Sequence, residues 1–71
     1  MDYNREFVKN LNEYMSARNV TGKILAKELN MSEAAISYYR TGKREPQLTT
    51  LCMIADFFEI TLDELMGRKE Y

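Results

Sequence analysis

Glu33, Ala34, Ser37, Tyr38 and Thr41 recur at helical spacing as a row of small or polar side chains, and Lys43 and Arg44 follow shortly after. A carboxylate, a methyl group, three hydroxyls and two cations on one side of a short segment are recognition chemistry. They accept, donate and pack, and none of them is activated to break a bond. The bland alternative is the solvated face of an ordinary helical hairpin, and spacing alone does not separate the two. Acid–base and metal chemistry have little to draw on elsewhere. The chain has no histidine and one cysteine, which removes the most versatile proton carrier and any zinc-like ligand spacing. Asp63 and Glu64 are neighbours in sequence, so they do not face each other on a helix. Three isolated glycines make no phosphate-cradling loop. An enzyme is not expected, and neither is a cofactor or metal.

The charge is segregated. The total is −1 over 71 residues, which by itself argues mildly against a nucleic-acid partner. Residues 21–44, however, hold five basic side chains (Lys23, Lys27, Arg40, Lys43, Arg44) against two acidic (Glu28, Glu33), a local +3. Residues 45–71 hold two basic against six acidic, a local −4. The middle of the chain suits phosphates and the C-terminal part does not.

A chain of this length is one domain near the lower limit for independent folding, burying only about 60% of its unfolded surface. Cys52 lies in an apolar run and reads as a buried thiol without a disulfide partner. No window approaches the ~20 apolar residues of a membrane span, and the charged start MDYNREF has no signal-like apolar region. A reducing, cytoplasmic setting is expected.

Five helices must position the outward row. The first spans Tyr3–Ala17 with Asp2 as its cap; Phe7, Val8, Leu11, Tyr14 and Met15 share one face, and Asn4, Arg5, Lys9, Asn12 and Ser16 are assigned to solvent. The second spans Gly22–Leu29 under a Thr21 cap, with Ile24, Leu25, Ala26 and Leu29 inward. Ala26 is small enough for a close helix crossing. Asn30 suits a left-handed turn, Met31 plugs it, and Ser32 caps the third helix, Glu33 to about Arg40, whose inward residues are Ala35, Ile36 and Tyr39. Gly42 and Pro46 end that helix and open a short basic loop. The fourth helix, about Leu48–Phe58, has an inward stripe of Leu48, Leu51, Cys52, Ala55 and Phe58, with Met53, Ile54 and Phe57 adding apolar surface elsewhere. Thr61 and Glu64 form a capping box for a short fifth helix that places Leu62, Leu65 and Met66 inward and stops at Gly67. The fold class is all-α.

Taken in register, Leu25-Ala26, the turn Leu29-Asn30-Met31-Ser32, Ile36-Ser37, Gly42-Lys43, Pro46, Leu51, Ala55-Asp56-Phe57-Phe58 and Leu62-Asp63-Glu64-Leu65 resemble the Cro and lambda-repressor-like (XRE-type) helix-turn-helix family. The resemblance covers residues 7–67, with the helix-turn-helix at 21–42, inside a single domain of residues 1–71. It implies a five-helix lambda-repressor-like fold. It also implies a DNA-binding transcriptional regulator of bacterial or phage, repressor type, whose third helix enters the major groove, often as a homodimer on a two-fold site. Carried onto this sequence, Glu33, Ala34, Ser37 and Tyr38 match base-facing positions. Thr21, Lys23, Ser32, Lys43, Arg44 and Gln47 match phosphate-facing ones. Glu33 either accepts from a cytosine amino group or simply complements the helix dipole. Met53 and Phe57 are the candidate dimer surface.

Three positions depart from the family pattern. Gly22 stands where a glutamine commonly braces the recognition helix and contacts phosphate. Met15 and Arg40 stand where an arginine and a glutamate often pair, so Arg40 is expected to extend outward or meet a carboxylate such as Glu13. Glu59 replaces a frequent glycine and is strained if the backbone there has positive φ. These departures, with the net acidity, keep a second reading open: a protein-interaction module of the same fold, such as an antitoxin-like or anti-repressor partner.

Overall fold

A computed structural model describes residues 2–68; Met1 and residues 69–71 of the expected domain lie outside them. The elements are α1 (Tyr3–Ala17), α2 (Gly22–Leu29), α3 (Glu33–Thr41), α4 (Leu48–Phe58) and α5 (Leu62–Met66), with no strand among the described residues. Four helices begin with a side-chain oxygen accepting from the third helical amide: Asp2 from Arg5, Thr21 from Ile24, Ser32 from Ala35 and Thr61 from Glu64. The Glu64 carboxylate reaches back to the Thr61 amide at 2.9 Å, completing the capping box. These bonds satisfy amides that a helix start leaves without partners.

Packing follows the spacing, with three corrections. Phe7, Leu11 and Met15 of α1 meet Leu25, Ala26 and Leu29 of α2, Ile36 and Tyr39 of α3, Ile54, Ala55 and Phe58 of α4, and Leu65 of α5 in one core. Ile24 is not inward: it is 45% exposed, because Lys27 and Glu28, one turn on, share its solvent-facing side. Leu48 is 66% exposed and Cys52 is exposed as well, so the thiol is not buried. The inward stripe of α4 is Leu51, Ile54, Ala55 and Phe58, one turn later than the pattern indicated. An almost uniformly apolar helix carries no polar face to set its phase, and Leu48 sits at its first turn, beyond the edge of the packed layer.

Long-range ties run from side chains to backbone. Asn10 Nδ2 donates to the Leu65 carbonyl at 3.0 Å and fastens α5 onto α1. Arg18 donates to the Phe58 carbonyl and lies over the Tyr14 and Phe58 rings, 5.6 and 5.7 Å from their centroids. That contact satisfies a carbonyl at the end of α4, where Glu59 takes φ +57°. The expectation of positive φ at Glu59 therefore holds. The left-handed region costs a residue with a Cβ about 1–2 kcal/mol relative to its ordinary conformations, a cost that glycine avoids. Glu59→Gly is expected to stabilise the fold by about 1 kcal/mol, raising the melting temperature by about 4–8 °C; a thermal melt with an unchanged or lower midpoint would show that Glu59 is unstrained.

Candidate nucleic-acid interface

The α2–α3 unit is held by a three-residue reversal. Asn30 adopts φ +55°, ψ +47°, a conformation that asparagine tolerates better than most residues. The Met31 amide then donates to the Ala26 carbonyl at 2.9 Å, closing the end of α2. Met31 is half-buried against the core, and Ser32 Oγ accepts from the Ala35 amide at 3.1 Å, opening α3. Cap, plug and cap leave the turn little freedom.

On α3 the faces separate cleanly. Ile36 and Tyr39 are buried, whereas Glu33, Ala34, Ser37 and Tyr38 are exposed together on the outer side. Thr41 extends α3 one residue beyond the expected end, and its hydroxyl donates to the Ser37 carbonyl at 2.9 Å. Gly42 takes φ +80°, and the Lys43 amide folds back onto the Tyr38 carbonyl at 3.0 Å. The basic loop is thereby drawn against the end of α3. The Arg44 guanidinium stacks over the Tyr38 ring, 5.1 Å from its centroid, so a residue assigned to bases and one assigned to phosphates support each other.

Thr21 and Lys23 at the start of α2 lie across an open cleft of about 720 Å³ from Glu33, Ala34, Ser37 and Arg40. Gln47 occupies the N-cap position of α4 but makes no side-chain capping bond, and its side chain is exposed, as are those of Lys43 and Arg44. Ser32 is exposed beside the start of α3. Of the two residues expected at a dimer surface, Met53 is 38% exposed, while Phe57 is half-buried and meets Phe58 edge-on at 4.9 Å.

Arg40 does not meet Glu13. Its Nε donates to Asn12 Oδ1 at 2.8 Å, and Asn12 Nδ2 donates to the Arg40 carbonyl at 3.0 Å and to the Val8 carbonyl at 2.9 Å. Asn12 is accordingly half-buried rather than turned to solvent. The signal was present in the spacing: Val8, Leu11, Asn12 and Met15 form one stripe, and a polar residue within it needs partners. Among the described residues no group of three histidine, cysteine or acidic side chains is placed to hold a metal, and no helix is long and apolar enough to cross a membrane.

The model of the Cro/C1-type HTH DNA-binding domain matches residues 10–70. The chain belongs to that family. It is 37% identical over 65 residues to the HTH-type transcriptional activator BcrR of Enterococcus faecalis, covering 92% of this chain and 32% of that protein. It is 35% identical over 60 residues to the HTH-type transcriptional regulator AnsR of Bacillus subtilis, covering 84% of this chain and 52% of that protein. The uncharacterized HTH-type transcriptional regulator YqaE of Bacillus subtilis is 30% identical over the same length, with the same coverage. The chain thus spans about a third to a half of the length of the relatives it matches. No solved structure gives a significant match.

The Ser32 oxygen that caps α3 stands beside the exposed face of that helix. Removing the cap leaves the Ala35 amide without its partner. Ser32→Ala should destabilise the fold by about 1 kcal/mol and Ser32→Gly by only a few tenths. Urea titrations check the ranking, and equal midpoints for the two variants would contradict it.

Proposed function

We propose that this Cro/C1-type domain regulates transcription by docking α3 in the major groove of a specific DNA site. In that reading Glu33, Ala34, Ser37 and Tyr38 face base edges. Thr21, Lys23, Ser32, Lys43, Arg44 and Gln47 face the phosphates on either side. The observation that carries the proposal is the joint exposure of the four α3 residues between two cationic flanks, Lys23 on one side and Lys43-Arg44 on the other. Phosphate contacts fix the register of the helix, and base-edge contacts choose the sequence. Ala34 suits a thymine methyl group and Ser37 either base type, while Glu33 suits a cytosine amino group.

Regulation then works through occupancy. A bound domain that overlaps a promoter blocks polymerase and represses; one beside it offers a contact and activates. The relatives, one named as an activator and two as regulators, support transcriptional control without choosing between these. A homodimer would place two copies of α3 on a two-fold site, and exposed Met53, with the accessible part of Phe57, is the proposed contact. Residues 7–67 act in this reading as one DNA-binding unit.

The test is a fluorescence-anisotropy titration with a duplex selected from a random pool. Binding should weaken steeply as salt rises, because each neutralised phosphate releases counterions. Lys43→Ala with Arg44→Ala should weaken binding to every duplex, Ser37→Ala should change preference among duplexes, and the complex should contain two chains per duplex. Binding that is insensitive to the Lys43/Arg44 change would reject the docking, and an absence of salt-dependent DNA binding would favour a protein-interaction module of the same fold. One chain per duplex would reject the dimer.

A further inference from the structure

We propose that Arg40 is an additional phosphate contact of the α2–α3 face, held by Asn12 and uncovered by Gly22; this rests on the reading of that face as the DNA interface. Arg40 is half-buried near the end of α3. Its Nε is fixed on Asn12 Oδ1 at 2.8 Å, and its own carbonyl is held by Asn12 Nδ2 at 3.0 Å. Asn12 is itself anchored on the Val8 carbonyl. The near end of the guanidinium is therefore fixed in place, and Asn12 serves as the positioning residue. Among the described residues Arg40 has no other side-chain hydrogen-bond partner.

The outer edge of the guanidinium is the part left over. A guanidinium carries five N–H donors in a planar fork; Nε uses one, and the Nη1 and Nη2 donors remain. Arg40 lines the open cleft together with Thr21, Lys23 and Ser37, which the docking places against DNA. Gly22 forms part of the rim. A Cβ built there would lie 3.9 Å from Arg40 Nη1 and 3.8 Å from Ile36 Cγ2. A side chain at position 22 would thus fit sterically and extend over the guanidinium. Glycine leaves it accessible instead. Glu33 shares the cleft as a competing acidic group, but it is at the opposite end of α3, nearly two turns away.

The chemistry suits a phosphate oxygen better than a base. The fork matches phosphate geometry through paired hydrogen bonds, and its charge does not titrate away. Fixing Nε beforehand reduces the rotamer freedom that the arginine loses on binding. With no side chain at position 22, the cleft wall beside Thr21 and Lys23 is completed by the Arg40 cation of α3.

The experiment measures binding of the full chain to a duplex of arbitrary sequence across a range of salt concentrations. It compares wild type with Arg40→Met, Arg40→Lys, Asn12→Ala and Gly22→Leu, each checked for folding by circular dichroism. Arg40→Met should weaken binding and reduce the steepness of log K against log salt by about 0.9, the contribution of one phosphate. Arg40→Lys should keep the wild-type slope. Asn12→Ala should weaken binding with little change in slope, since the charge remains. Gly22→Leu, which leaves the Asn12 clasp intact but covers the guanidinium, should reproduce the reduced slope of Arg40→Met. If Arg40→Met fails to fold, Gly22→Leu decides the question. A wild-type slope in Gly22→Leu, or in folded Arg40→Met, would overturn the proposal and leave Arg40 as a link between α1 and α3 only. Loss of the DNA interface itself would look different: wild type would then bind without salt dependence, or bind equally well after Lys43 and Arg44 are replaced.

Discussion

The left-handed backbone at Asn30 reverses the chain between α2 and α3, and everything α3 presents depends on where that reversal leaves it. Without a residue that tolerates φ +55°, α2 would run on past Leu29 and carry Ser32 away from its capping position. With it, Ala26 closes the turn through its carbonyl and, being small, allows the helices to approach. Leu25, Leu29 and Ile36 then bury in the same core as Phe7 and Phe58. The angle of α3 is consequently fixed from its buried side, and the outer residues Glu33, Ala34, Ser37 and Tyr38 carry none of that load. The outer residues of α3 can therefore change without disturbing the packing that holds the helix.

The segregation of charge acquires a structural meaning on this frame. A net charge of −1 reads as indifferent to nucleic acid, yet the cations of the middle segment lie on α2, α3 and the loop after it, whereas Asp56, Asp63 and Glu64 of the C-terminal part lie on α4 and α5. In the proposed docking, repulsion of the acids on α4 and α5 would help turn the α2–α3 face toward a phosphate surface. The Arg44–Tyr38 stack and the Arg40–Asn12 clasp give two of the cations defined positions, so under the proposed docking part of the side-chain ordering would already exist in the free domain.

Much of this architecture is legible in the sequence because helix ends are local. Asp2, Thr21, Ser32 and Thr61 cap, and Asn30, Gly42 and Gly67 terminate, through bonds that span at most one turn. Facing is less legible. In α2 the hydrophobic Ile24 lies on the side of the exposed Lys27 and Glu28, and its side-chain type alone pointed inward against that neighbourhood. In α4 the apolar side chains surround the axis, so Leu48 and Cys52 were indistinguishable from Ile54 until the neighbouring helices chose a side. Asn12 was hidden for a different reason: a polar residue in an apolar stripe declares a need for partners but not their identity. Its partner lies 28 positions away, and no local pattern connects the two. The outward row of α3 was readable as a row, and its assignment to bases came from resemblance rather than from geometry.

The central claim is that the face built by α3 and its two cationic flanks meets DNA. Amide chemical-shift changes on titrating the labelled chain with a duplex selected from a random pool test it directly. The account predicts that the largest changes fall at residues 21–23, 32–40 and 42–47, with α5 and the part of α1 away from Asn12 little affected. Changes concentrated instead in the groove between α1 and α5, around Glu6, Asn10 and Gly67, with residues 32–38 and 42–47 unmoved, would contradict it.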